Sequence, residues 1–177
     1  QASRKRIQKA LRYNILNKRI KSFHQGDKMN LHFLSSSQKK KLLSELKEQF
    51  GINSLPYLLI ESGKEKLRGF SGHLSKEELS NLNRIINIEL IGLYLIKKET
   101  PIRLSFDAPH LLKSQISSNI LKINKEETQA WLKGANLEIK LPRGTYIIEH
   151  ENNFIGCGKS NSSVLLNHVP KDRRLRK

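Results

Sequence analysis

Two stretches of this chain carry side chains suited to binding chemistry: Gly156-Cys157-Gly158-Lys159, and the terminal run Lys171, Arg173, Arg174, Arg176 and Lys177. An arginine fork grips phosphate through two parallel hydrogen bonds, and its plane stacks on unpaired bases. Gly156 and Gly158 lack Cβ, so a nucleic-acid backbone could lie close against their strand while Lys159 reaches a phosphate. Arg143, in the turn Pro142-Arg143-Gly144, is a further candidate. More cations crowd the other end of the chain, at Arg4, Lys5, Arg6, Lys9, Arg12, Lys18, Arg19 and Lys21. Such residues serve the binding of a polyanion, because each phosphate neutralised releases condensed counterions whatever the sequence.

Other chemistries find little footing. The six histidines, His24, His32, His73, His110, His150 and His168, show no metal-ligand spacing, so no metal is expected. One cysteine, Cys157, rules out an internal disulfide or a multi-cysteine zinc site. No activating base stands near it in sequence, so it reads as a small strand residue rather than a nucleophile. The paired acids Glu77-Glu78 and Glu126-Glu127 fall in helix first turns, where the helix dipole accounts for them. No Gly-x-Gly loop follows a strand in the first half, so a doubly wound methyl-donor domain is not expected. Nor does the length leave room for an added catalytic domain. No catalytic residue, no cofactor and no small-molecule substrate are expected.

The charge distribution agrees with a polyanion partner. Of the net charge of +17, residues 1–28 contribute +8, from nine Lys/Arg against Asp27 alone. Residues 159–177 contribute +5, while 29–100 and 101–158 are nearly balanced at +3 and +1. Ile7, Leu11 and Ile15 give the first segment a thin helical apolar stripe, too narrow and too poor in Trp for a membrane surface. It reads as a basic arm, helical or extended, that orders on a partner. The chain has no apolar run of transmembrane length, and its first residues lack a signal-peptide core, so a cytoplasmic location is expected.

The elements that must position these residues are legible in outline. MNLHFL alternates like a strand. SSSQKKKLLSELKEQFG is a Ser-capped helix with Leu42, Leu43, Leu46 and Phe50 on one face and Gly51 as its stop. YLLIES and EKLRGF form strands around Gly63-Lys64. SKEELSNLNRII has the capping-box spacing Ser75 to Glu78 and an inward face of Leu79, Leu82, Ile85 and Ile86. IELIGLYLI and IRLSFD are strands. ILKIN is a short strand, and KEETQAWLKG a helix ending at Gly134 with Trp131 in the core. LEIKL, TYIIEHE, NFIGCG and VLLNHVP follow as strands, with a turn at Asn152-Asn153. The fold class is therefore α+β: a basic arm over 1–28, an α+β domain over 29–107, and a small mixed β-barrel over 108–177.

The second half, ILKINKEETQAWLKGANLEI followed by GTYIIEHENNFIGCGKSNSSVLLNHVPKDRRLRK, closely resembles a PUA-type RNA-binding domain. The resemblance is nearest to the version that ends Nop/Sun-type rRNA and tRNA cytosine methyltransferases, also found in small archaeal stand-alone proteins grouped with ribosome biogenesis. It rests on Trp131-Leu132-Lys133-Gly134, Gly156-Cys157-Gly158-Lys159 and Asn167 through Arg176. Where that family carries a bulky aromatic between its two glycines, this chain has Cys157. LIGLYLIKKETPIRLSFDAPHLL is similar to the N-terminal α+β domain of Nip-family large-subunit biogenesis factors. The resemblance implies a non-catalytic RNA-binding protein acting on ribosomal RNA, as a ribosome-associated component or assembly factor with ribosomal particles and their proteins as partners. The alternative is a subunit that delivers tRNA or rRNA to a separate modifying enzyme, which predicts an exposed apolar patch within 29–107.

Overall fold

The computed structural model describes residues 31–176. The basic arm lies outside the described residues. The chain divides into two compact units. One contains the described residues 74–91, and the other comprises 32–73 with 92–177.

In the larger unit, β1 (His32–Phe33), β2 (Leu58–Ser62), β3 (Lys66–Phe70), β4 (Leu93–Lys97) and β5 (Arg103–Leu104) form an antiparallel sheet in sequence order. Helix α1 (Ser36–Phe50) starts at a capping box in which Ser35 and Gln38 satisfy one another's backbone N–H groups, and stops at left-handed Gly51. Its buried Leu42, Leu46 and Phe50 recur at the helical period and enter the core. The strand expected over IELIGLYLI begins only at Leu93, because Gly92 takes a left-handed φ of 65° and packs against the Gly69 backbone. IRLSFD is extended only at Arg103–Leu104. Ser105 Oγ donates to the Tyr94 carbonyl and accepts from the Ala108 N–H, turning the chain into the one-turn helix α3 (Ala108–Leu111).

The second sheet has the order β6 (Ile120–Lys122), β7 (Gly144–His150), β8 (Asn153–Ser160), β9 (Leu165–Asn167), with β6 parallel to β7 and the rest antiparallel. Glu151 and Asn152, both left-handed, make the β7–β8 turn one residue earlier than expected. Helix α4 (Lys125–Leu132) begins at the capping box Asn124–Glu127. LEIKL is not a strand: only Leu137 bridges to Leu165, and the Ile139 N–H folds back onto the Leu137 carbonyl. Its alternation instead places Leu137, Ile139 and Leu141 against the Trp131 core.

One face of this sheet contributes Ile147, Phe154 and Cys157 to the same core as Leu46, Phe50, Leu95 and Leu104, so residues on both sides of position 107 share one interior. The opposite face packs on Trp131, Leu165 and Val169.

In the smaller unit, α2 (Lys76–Ile85) shows the expected Ser75–Glu78 capping box and buries Leu79. The rest of the expected inward face is not realised. Leu82 is half-buried, while Ile85 and Ile86 are 74% and 51% exposed. Ile85 stands about 120° around the helix axis from Leu79. Ile86 leaves the helix with extended backbone.

Candidate nucleic-acid interface

Strand β8 carries the glycine pair, and both of its edges are occupied: Gly158 pairs with Tyr146 on β7 and Asn167 on β9. Both glycines are buried. A Cβ on Gly158 would stand 2.8 Å from Trp131 Cη2 and 3.0 Å from Leu165, and one on Gly156 would stand 3.0 Å from Phe106. Gly156 also adopts a φ of 112°, which side chains rarely take. Trp131 is fully buried and anchored by Nε1–H donating to the Ile155 carbonyl at 2.9 Å. The close approach that Gly156 and Gly158 permit is by the indole and the Phe106 ring.

The basic tail is clasped to helix α4. Asn167 Nδ2 donates to the carbonyls of Trp131 and Ala135 at 2.7 and 3.0 Å, and its Oδ1 accepts from the Val169 N–H. After a 3-10 turn over Lys171–Arg173, the Leu175 N–H donates to the Leu132 carbonyl. Arg174 Nε donates to the Val169 carbonyl at 3.1 Å, and its guanidinium covers Gly134 so closely that a Cβ there would meet it at 2.5 Å. That position also puts its charge at the negative end of α4. Arg174 is thus half-buried and tied into the fold. Lys171 and Arg176 stay exposed, and Arg173 is held near Asp107 at 3.6 Å with half its side chain in solvent.

A second group of cations gathers where β5 meets β8. Lys159 Nζ lies 3.5 Å from the Thr100 carbonyl. Lys97 and Arg103 both pair with Glu99, each at 2.9 Å. His168 sits among Arg103, Lys97, Lys159 and Glu99; burial first, then the Arg103 charge, push its imidazole down to about 4, so it is neutral at physiological pH. Thr145 is directly across from Lys159 and buried. Arg143 is exposed just before Gly144, which pairs with Ser160, and so stands at the Lys159 end of the strands. Lys97, Arg103, Thr145 and His168 escaped the sequence reading, since no local spacing links residues from different strands of two sheets.

Cys157 is buried, and burial pushes its thiol up to about 12, so it does not supply a thiolate. The candidates Arg4, Lys5, Arg6, Lys9, Arg12, Lys18, Arg19 and Lys21 fall outside the described residues, as does Lys177. Among the described residues, no group of three or more His, Cys, Asp or Glu could hold a metal ion. No described helix is long and apolar enough to cross a membrane.

Residues 118–175 match the family described as the methyltransferase RsmF PUA domain. No curated protein matches the chain. A PUA-like domain is thus present, spanning the β6–β9 sheet, helix α4 and the tail clasp, in a protein of mixed helices and strands.

Proposed function

We propose that this is a non-catalytic RNA-binding protein acting on ribosomal RNA in the cytoplasm, as a ribosome-associated component or an assembly factor. The observation that carries the reading is the PUA-like domain over 118–175, a domain type that points to RNA, in a chain of net charge +17. Lys171, Arg173 and Arg176 stand exposed on a tail whose backbone is tied to α4, so their cations need little ordering to meet phosphates. The buried, high-pKa Cys157 supports the non-catalytic part, since it removes the one thiol from nucleophilic chemistry. The Nip-like resemblance of the first half makes residues 29–107 the part that positions the module, and the arm at 1–28 adds contacts along folded RNA.

A second reading has its own support. The matched domain type belongs to a methyltransferase, which fits a subunit delivering tRNA or rRNA to a modifying enzyme. That reading needs an apolar surface for a protein partner. The larger unit has a groove of about 660 Å³ lined by Tyr57, Phe70, Leu93, Leu95 and Leu111, and the smaller exposes Leu74, Ile85, Ile86 and Leu90.

Gradient fractionation of native lysate at low and high salt separates the two. Co-migration with mature subunits at high salt indicates a stable component, and enrichment in precursor particles indicates an assembly factor. Recovery only in free fractions at low salt refutes the ribosomal reading. With purified RNA, neutralising about six phosphates predicts an affinity loss on the order of a thousandfold between 50 and 200 mM salt. Deleting residues 1–28 should flatten that slope, and an unchanged slope would remove the arm from the interface.

A further inference from the structure

Thr145 Oγ1 and His168 Nε2 are buried without a hydrogen-bond partner among the described residues. An unpaired buried polar atom is costly, so each calls for a partner supplied from outside the chain. The two share a setting. Thr145 pairs with Lys159, which pairs with Leu166, and His168 follows just past the end of β9, where the Lys159 charge acts on it. The face that carries Lys159 is the one on which Cys157 meets β5.

The charge of the setting selects the ligand. The charges acting on His168 are those of Arg103, Lys97, Lys159 and Glu99, and Glu65 pairs with Lys97 at 3.4 Å. Three cations thus stand against two carboxylates, a balance that repels a metal cation and favours an anion. The hydroxyl of Thr145 can donate, and so can a neutral imidazole protonated at Nε2. A phosphate accepts several hydrogen bonds at once and carries the charge to match. Lys159 is the movable part, since its Nζ is held by the long 3.5 Å approach to the Thr100 carbonyl.

We propose that this rim is a phosphate-binding site. Lys159 swings off Thr100 to admit the phosphate, Arg103 and Lys97 balance its charge, and Thr145 Oγ1 and His168 Nε2 donate to its oxygens. The site deepens the RNA-binding reading and rests on it for the source of the phosphate, the backbone of an RNA strand. Free phosphate would satisfy the same donors.

Two variants of the full chain test the proposal, Thr145→Val, which keeps the shape and removes the hydroxyl, and Lys159→Gln. The probes are a single-stranded oligouridylate, followed by fluorescence anisotropy, and inorganic phosphate, followed by amide and imidazole NMR shifts. The proposal expects Thr145→Val to raise the melting temperature of the free protein, because the unpaired hydroxyl is gone. It expects both variants to weaken RNA binding by about tenfold, the worth of one hydrogen bond to a charged group. Phosphate should shift the signals of Thr145 and His168 in the parent protein and not in Thr145→Val.

A lower melting temperature for Thr145→Val with unchanged RNA affinity would overturn the site and leave an internal water as the partner of the hydroxyl. Tight RNA binding by the parent and both variants alike, with no phosphate-induced shifts, would sink the site and leave the RNA reading standing. Phosphate-induced shifts with no RNA binding would keep the site, assign it to a free phosphoryl compound, and refute the RNA reading.

Discussion

Replacing Gly158 with alanine separates packing from ligand approach at the position where the two readings diverge. The added Cβ would lie 2.8 Å from Trp131 Cη2 and 3.0 Å from Leu165 Cγ and Cδ1, closer than carbon atoms tolerate. The indole cannot yield cheaply. It is fully buried, and moving it breaks the 2.9 Å bond from Nε1–H to the Ile155 carbonyl. Gly158 has no left-handed φ, so the cost is steric rather than conformational. Overpacking of this kind costs about 1–3 kcal/mol, and loss of the indole hydrogen bond adds about 1 kcal/mol. For a domain of this size, each kcal/mol lowers the melting temperature by about 2–4 °C, which gives an expected drop of roughly 4–16 °C. Differential scanning calorimetry measures this directly, and RNA affinity is then compared at a temperature where both proteins are folded. The packing argument expects a lower melting temperature with RNA affinity unchanged. An unchanged melting temperature with weakened RNA binding would refute it and make the glycine a point of RNA contact.

Other perturbations follow from the same geometry. Arg174→Ala removes the bond to the Val169 carbonyl and the cover over Gly134, and should lower stability by about 1 kcal/mol, whereas Arg176→Ala should leave the melting temperature where it is; equal effects would mean the clasp is not formed. Stability should also depend on pH through His168, whose folded value of about 4 lies below its ordinary 6.5 because of burial and then the Arg103 charge. The unfolded chain therefore binds the proton first, so this contribution is complete above pH 6.5 and is lost as pH falls from 6.5 toward 4. Urea midpoints across that range should fall in the parent protein and fall less in His168→Gln, and parallel curves would exclude His168 as the source.

The sequence by itself determined what depends on near neighbours along the chain. Helix starts were legible because a capping box needs only residues three apart, as at Ser75 and Glu78. The β2–β3 hairpin followed from alternation around Gly63-Lys64, and Trp131 was placed in the core by its helix face. The motifs from Trp131 to Arg176 pointed to the PUA-like domain that the family match places at 118–175. What only the tertiary structure decided is where side chains from distant segments meet. LEIKL alternates like a strand yet is packed and bridged at one residue, because burial against Trp131 accounts for its pattern without a ladder. Gly156 and Gly158 admit aromatic rings, and Arg174 closes over Gly134, because the fold brings α4 to both. Lys97, Arg103, Thr145, Lys159 and His168 become one electrostatic environment only when β5 packs beside β8. Burial and the field of neighbouring charges depend on distance through space, so a residue's role as ligand or as packing is set by whichever segment folds against it.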